Sequence, residues 1–190
     1  MSIAFVGNKD QVDSKFTIDQ RKTADAWQNF ADNSGASLNG QFDAWHMRFE
    51  LKGTTESTEL KITGERSTAN VTSNVIPVDS RFNETTTFFF TVSNSDSVDF
   101  EIVSKKFDSK LKSVLRRSKT INEEFNLYAA SIDLDKIISK DLLQNLSIHK
   151  LERIKLKGTS LKVTFNRMLN SETQINQLIK DLSKLCANNA

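Results

Sequence analysis

The chain has 190 residues, 37% of them hydrophobic, with 26 Lys and Arg against 24 Asp and Glu, two His and one Cys. Thirteen Phe, with many Ile, Leu and Val, supply enough large apolar side chain to exclude global disorder, and the length suits one large domain or two small ones that associate. A lone cysteine excludes an internal disulfide, no apolar run nears the roughly 20 residues that cross a bilayer, and the opening MSIAFVGNKDQ lacks a signal-peptide pattern, so the expected location is cytoplasmic.

The net charge of +2 hides a step along the chain. Residues 1–100 hold 9 Lys and Arg against 14 Asp and Glu, net −5, whereas residues 101–190 hold 17 against 10, net +7. Summed charge sets a long-range potential whatever the fold, so the second half is the part that would draw an anionic partner.

In chain order, residues 1–16 read as an N-terminal segment, poorly ordered or an edge strand, and 17–190 as a single α+β domain that could subdivide near 105–120. Thr17-Ile-Asp-Gln20 has the form of a capping box, with Ala24, Trp27, Phe30 and Ala31 at helical spacing and Gly35 as the stop, which predicts a helix over 18–34. From Gly40 the period becomes two: Phe42, Ala44, His46 and Arg48 alternate with Asp43, Trp45, Met47 and Phe49, which predicts one strand ending at Lys52-Gly53. Leu60–Glu65 is its hairpin partner through Gly53–Thr58. Residues 66–83, rich in Ser, Thr and Asn and holding the only proline, Pro77, read as irregular. Thr85–Val92 and Val98–Ser104 read as a second hairpin across Ser93–Ser97.

The second half reads as basic helix, strand, helix, hairpin, helix. Phe107, Leu111, Val114 and Leu115 space a helix over 106–116; Phe125, Leu127 and Ala129 a strand; Leu134, Ile137, Ile138, Leu142 and Leu146 a helix over 134–146. Glu152–Lys157 and Leu161–Arg167 alternate around Gly158-Thr159-Ser160, a hairpin, and Ser171 with Gln174 caps a last helix over 172–186. The fold class expected is α+β, a mainly antiparallel sheet covered by about four helices, mostly on one face.

Candidate chemistry is sparse. His46 and His149 each stand without a second ligand at metal spacing, the six glycines form no phosphate-cradling loop, and Asp133 and Asp135 sit where a helix start favours acids. No catalytic residue, metal or cofactor is therefore assigned, and an enzyme ranks third among the readings. Cys186, in the last turn of a helix, meets a negative dipole end that disfavours a thiolate. The basic stretch stands out: Lys106, Lys110, Lys112, Arg116, Arg117 and Lys119 would spread over the outer side of a helix and reach phosphates, although an exposed helix is polar on that side anyway and aromatic residues are thin there. Trp45, Phe88 and Phe90 are candidates to line an apolar cavity.

Trp27-Gln-Asn-Phe-Ala31, the strand after Gly40, Ile121-Asn-Glu-Glu-Phe-Asn-Leu-Tyr-Ala-Ala-Ser131 followed by Asp133, the Leu142-Leu143 pair and the closing hairpin and helix together resemble a loosely defined group of uncharacterised bacterial domains. The resemblance spans about Trp27 to Leu185 and implies a fold, without an activity or site residues. The leading function expected is a non-catalytic binding or scaffolding module using a basic surface in the second half, its partner a protein or an anionic surface of lipid or nucleic acid. The alternative is a carrier of a small apolar ligand between sheet and helices. Oligomeric state is left open.

Overall fold

Alternation of large apolar and polar side chains runs through most of the chain, and in a computed structural model it builds one sheet. The structure describes residues 2–55, 58–68, 82–92, 99–108, 119–129 and 138–188. The strands are β1 (Ile3–Phe5), β2 (Ser37–Phe42), β3 (Met47–Thr55), β4 (Thr58–Thr68), β5 (Phe82–Thr91), β6 (Phe100–Ser104), β7 (Lys119–Thr120), β8 (Phe125–Ala129), β9 (Leu151–Lys157) and β10 (Ser160–Phe165). The α-helices among the described residues are α1 (Lys15–Ser34), α2 (Lys140–Ile148) and α3 (Glu172–Asn188), and one 3-10 turn spans Lys9–Gln11. The strand order is β1-β2-β3-β4-β5-β10-β9-β6-β8-β7, and every pairing is antiparallel except β1 with β2.

Register puts one row of each strand on a common face. Leu38, Phe42, Met47, Phe49, Leu51, Leu60, Ile62, Phe88, Phe90, Leu161, Val163, Phe165, Ile154, Leu156, Phe100, Ile102, Phe125 and Leu127 are all buried there. Trp27 and Phe30 from α1, Leu142, Leu143 and Leu146 from α2, and Ile175, Leu178, Leu182 and Leu185 from α3 join the same core. Burying one such side chain is worth about 1.5–3 kcal/mol, so this shared layer holds the helices against the sheet. Polar pins fix the segment before α3: Trp27 Nε1 donates to the Leu169 carbonyl at 2.9 Å, Thr86 Oγ1 to the Arg167 carbonyl at 2.8 Å, and the Met168 amide to Glu84 Oε2 at 3.1 Å.

Several expectations need correction. About four helices were expected on one face; three are described, because residues 105–107 form a turn where the 106–116 helix was to start, and 109–118 lie outside the described residues. The helix expected over 134–146 begins at Lys140, capped by Ser139 Oγ accepting from the Leu142 amide at 3.2 Å; 130–137 lie outside the described residues. α1 starts earlier than Thr17: Ser14 Oγ accepts from the Thr17 amide at 3.1 Å, and Thr17 and Gln20, the supposed capping pair, are buried inside the helix. The helix thus crosses the boundary expected at residue 17, and Ile3–Phe5 forms an edge strand.

The single strand expected from Gly40 to Lys52 is two. Asp43 Oδ1 accepts from the amides of Trp45 and His46 at 2.6 and 2.8 Å, and this side-chain turn folds the chain back between β2 and β3. The hairpin of β3 with β4 stands as expected, paired out to Thr55 and Thr58. The hairpin expected between the segments 85–92 and 98–104 does not form. β5 pairs with β4 and β10, while β6 pairs with β8 and β9, so the closing hairpin sits between them. Residues 69–81, most of the segment read as irregular, lie outside the described residues.

Candidate functional site

The second face of the sheet carries the opposite rows, and the three described α-helices pack on the other, apolar face. Cross-strand register aligns Ser37 with Lys52, Lys52 with Lys61, Lys61 with Phe89, Phe89 with Lys162 and Lys162 with Lys155. Four lysines and one aromatic ring therefore lie side by side across β3, β4, β5, β10 and β9. With neighbouring strands about 4.8 Å apart, the row from Lys52 to Lys155 runs about 19 Å.

Its charges are unevenly compensated. Lys52 Nζ lies 2.8 Å from Glu50, and Lys61 pairs with the other oxygen of the same carboxylate, so two cations hold the Glu50 carboxyl below its ordinary range. Lys155 and Lys162 stand directly opposite each other with no carboxylate at ion-pair distance among the described residues. Like charges facing across an antiparallel pair are mildly destabilising. Lys162 Nζ instead lies 5.4 Å from the centre of the half-buried Phe89 ring, a cation–π contact.

Beside this row the face becomes buried. Glu101, opposite Lys155, is 4% exposed and bonds Arg153 Nη1 at 2.9 Å; Asp108 accepts from Asn126 Nδ2 and the Tyr128 hydroxyl at 2.8 and 2.5 Å. Arg66 offers a contrast with the open lysines, being spent on Glu84 and on the face of Phe82. A cleft of about 520 Å³ beside it is lined by Lys15, Lys22, Phe16 and Asn170.

Of the basic residues singled out from the sequence, Lys106 is exposed in the turn after β6 and Lys119 is exposed in β7; Lys110, Lys112, Arg116 and Arg117 lie outside the described residues. Lys106, Lys105 and Lys150 line a cleft of about 410 Å³ together with Glu123 and Glu124. The proposed cavity residues part company. Phe88 and Phe90 are fully buried, ring centres 6.4 Å apart, with Phe165 edge-on to Phe88 at 5.8 Å; Trp45 is half-buried in the β2–β3 turn against Phe16. Core packing fills the space around the two phenylalanines.

Burial pushes the Cys186 thiol up to about 12, and the cysteine is 6% exposed. Desolvation, with the nearby Arg167 charge, holds His149 below its ordinary range against the opposing pull of Asp181, and its Nδ1 is buried without a partner. His46 is exposed, 3.5 Å from Asp43. No group of three or more His, Cys, Asp or Glu gathers among the described residues, and none of the described helices is long and apolar enough to cross a membrane.

Lys155 and Lys162 were not singled out from the sequence. Their signal lay in the hairpin arithmetic, because Lys155 and Lys162 are equidistant from the Gly158-Thr159 turn and must face each other. Phe89, the middle of three phenylalanines, had to point away from Phe88 and Phe90. Compared with family models, with curated proteins and with solved structures, the chain matches none.

Proposed function

We propose that this protein is a non-catalytic binding module whose basic surface, centred on the closing hairpin of its second half, takes a polyanionic partner. The observation that supports the reading is the Lys155–Lys162 pair, a half-buried and an exposed lysine opposite each other with no carboxylate at ion-pair distance among the described residues, Glu101 beside Lys155 being bonded to Arg153. The facing ammoniums repel each other, whereas a row of phosphates or sulfates would relieve the repulsion and release its own counter-ions. Lys52 and Lys61, sharing Glu50, extend the row by about one further net charge.

The test is retention on immobilised heparin. Lys155→Thr with Lys162→Thr removes both charges and places good strand formers at two solvent-facing positions, so the fold is kept. The double variant should elute at clearly lower salt than the parent while its thermal transition stays in place. Unchanged elution would defeat the reading.

A further inference from the structure

We infer that the partner of this face is single-stranded nucleic acid, its phosphates following Lys52, Lys61, Lys162 and Lys155 and a base stacking on Phe89. The inference rests on the polyanion reading above and adds to it the identity of the partner.

The sequence separates its basic and aromatic residues, but the sheet interleaves them. Phe89 stands in the middle of the row, with Lys61 on one side and Lys162 on the other. Its neighbours Phe88 and Phe90 already serve the core on the far face, so Phe89 adds nothing there. A ring on a face whose other residues from β3, β4, β5 and β10 are polar or charged has one property that an aliphatic residue lacks, an aromatic surface on which any base stacks. That surface is reachable, because the flexible Lys162 ammonium already lies over it. When a phosphate arrives, this ammonium has a better partner than the ring and leaves the ring to the base.

The shape of the site selects among polyanions. A duplex major groove admits a helix or a two-stranded ribbon, whereas Phe89 lies at the centre of a broad sheet and cannot reach paired, stacked bases. An anionic bilayer surface is bound most firmly when several apolar side chains enter it, and this row offers one half-buried ring. A single strand lying across the strands brings phosphates and unstacked bases together, which is what lysines alternating with a ring can use.

The experiment is fluorescence anisotropy of a labelled oligothymidylate of about 20 nucleotides, longer than one site, titrated with the full chain over a range of salt. A duplex of the same length and phosphatidylserine–phosphatidylcholine vesicles are run beside it. The expected order has the single strand bound most tightly. Phe89→Leu, which keeps an apolar side chain of similar reach, should weaken binding about tenfold with the salt dependence unchanged, and Phe89→Trp should retain it. Lys155→Thr with Lys162→Thr should instead flatten the slope of log affinity against log salt by about 1.4, from about 0.7 per phosphate contact on a single strand. Duplex or vesicles bound as tightly as the single strand, or wild-type affinity in a folded Phe89→Leu variant, would overturn the inference. If heparin retention still depends on Lys155 and Lys162 while oligothymidylate does not bind, the inference fails and the polyanion reading stands; if retention ignores those lysines, both fail.

Discussion

Gly64 makes room for the ring that joins the sheet to α1. A Cβ built there would overlap Cε1 and Cζ of Phe49 and sit 3.0 Å from Met168 Sδ. Phe49 has little freedom to retreat, since the Trp27 indole lies against it with ring centres 4.5 Å apart and Trp27 is itself fully buried and bonded to Leu169. Gly64→Ala should therefore act as overpacking, costing about 2 kcal/mol within the usual span of about 1–3. At this chain length a loss of that size lowers Tm by about 4–8 °C. Differential scanning calorimetry on the single variant, on Phe49→Leu and on the double variant reads the effect. Leucine in place of Phe49 vacates the space that the new methyl needs, so the double variant should be less destabilised than the two singles added together, by about 1 kcal/mol. A Gly64→Ala Tm within about 1 °C of wild type, or strictly additive losses, would refute this account of the packing.

Lys150 holds a left-handed backbone, φ 59°, where the chain leaves α2 for β9, a conformation that costs an L-residue about 1–2 kcal/mol. Lys150→Gly should raise stability by about 0.5–1 kcal/mol in chemical denaturation after the greater freedom of glycine in the unfolded chain is counted, and a lower midpoint would contradict it. His149 binds its proton less readily folded than unfolded, so the unfolded chain takes up more protons as pH drops. Its contribution is intact above the ordinary value of 6.5 and is lost on acidification through 6.5 toward the depressed folded value. His149→Asn should gain on wild type in Tm between pH 7.5 and 5, and parallel pH profiles would exclude the effect. Cys186, buried and with its thiol raised to about 12, should resist iodoacetamide at pH 8 in the native protein and react at once in denaturant; native labelling at the rate of a free thiol would show the burial to be wrong.

Elements whose signals are local were readable from the sequence. The β9–β10 hairpin follows from alternation on both sides of Gly158-Thr159-Ser160, the stop of α1 from Gly35 at φ 68°, and the apolar spacing of α3 from its own residues. Legibility failed where a competing signal ran in phase with the true one. Phe42, Ala44, His46 and Arg48 keep their alternation straight through the β2–β3 turn, and only the Asp43 side chain, bonding two amides, marks the reversal. The β5 and β6 segments are neighbours in sequence, each with strand character, and nothing within them announces that β10 and β9 will pair with them instead. The candidate site was hidden for the same reason. Its lysines and its ring come from five strands spread between residues 52 and 162, and only long-range register aligns them.

The position of the β9–β10 hairpin has a consequence for how the protein is made. Strands β1–β5 and strands β6–β8 share no ladder with each other; residues 151–165 bridge them, and those residues emerge from the ribosome after every strand they join. Until they appear, β5 and β6 each wait with a bare rim of amides and carbonyls, a state open to mispairing. The keystone arrives after the arch, which puts the slow, distant pairings after both flanks have been made and makes any truncation before residue 151 a separation of the two halves.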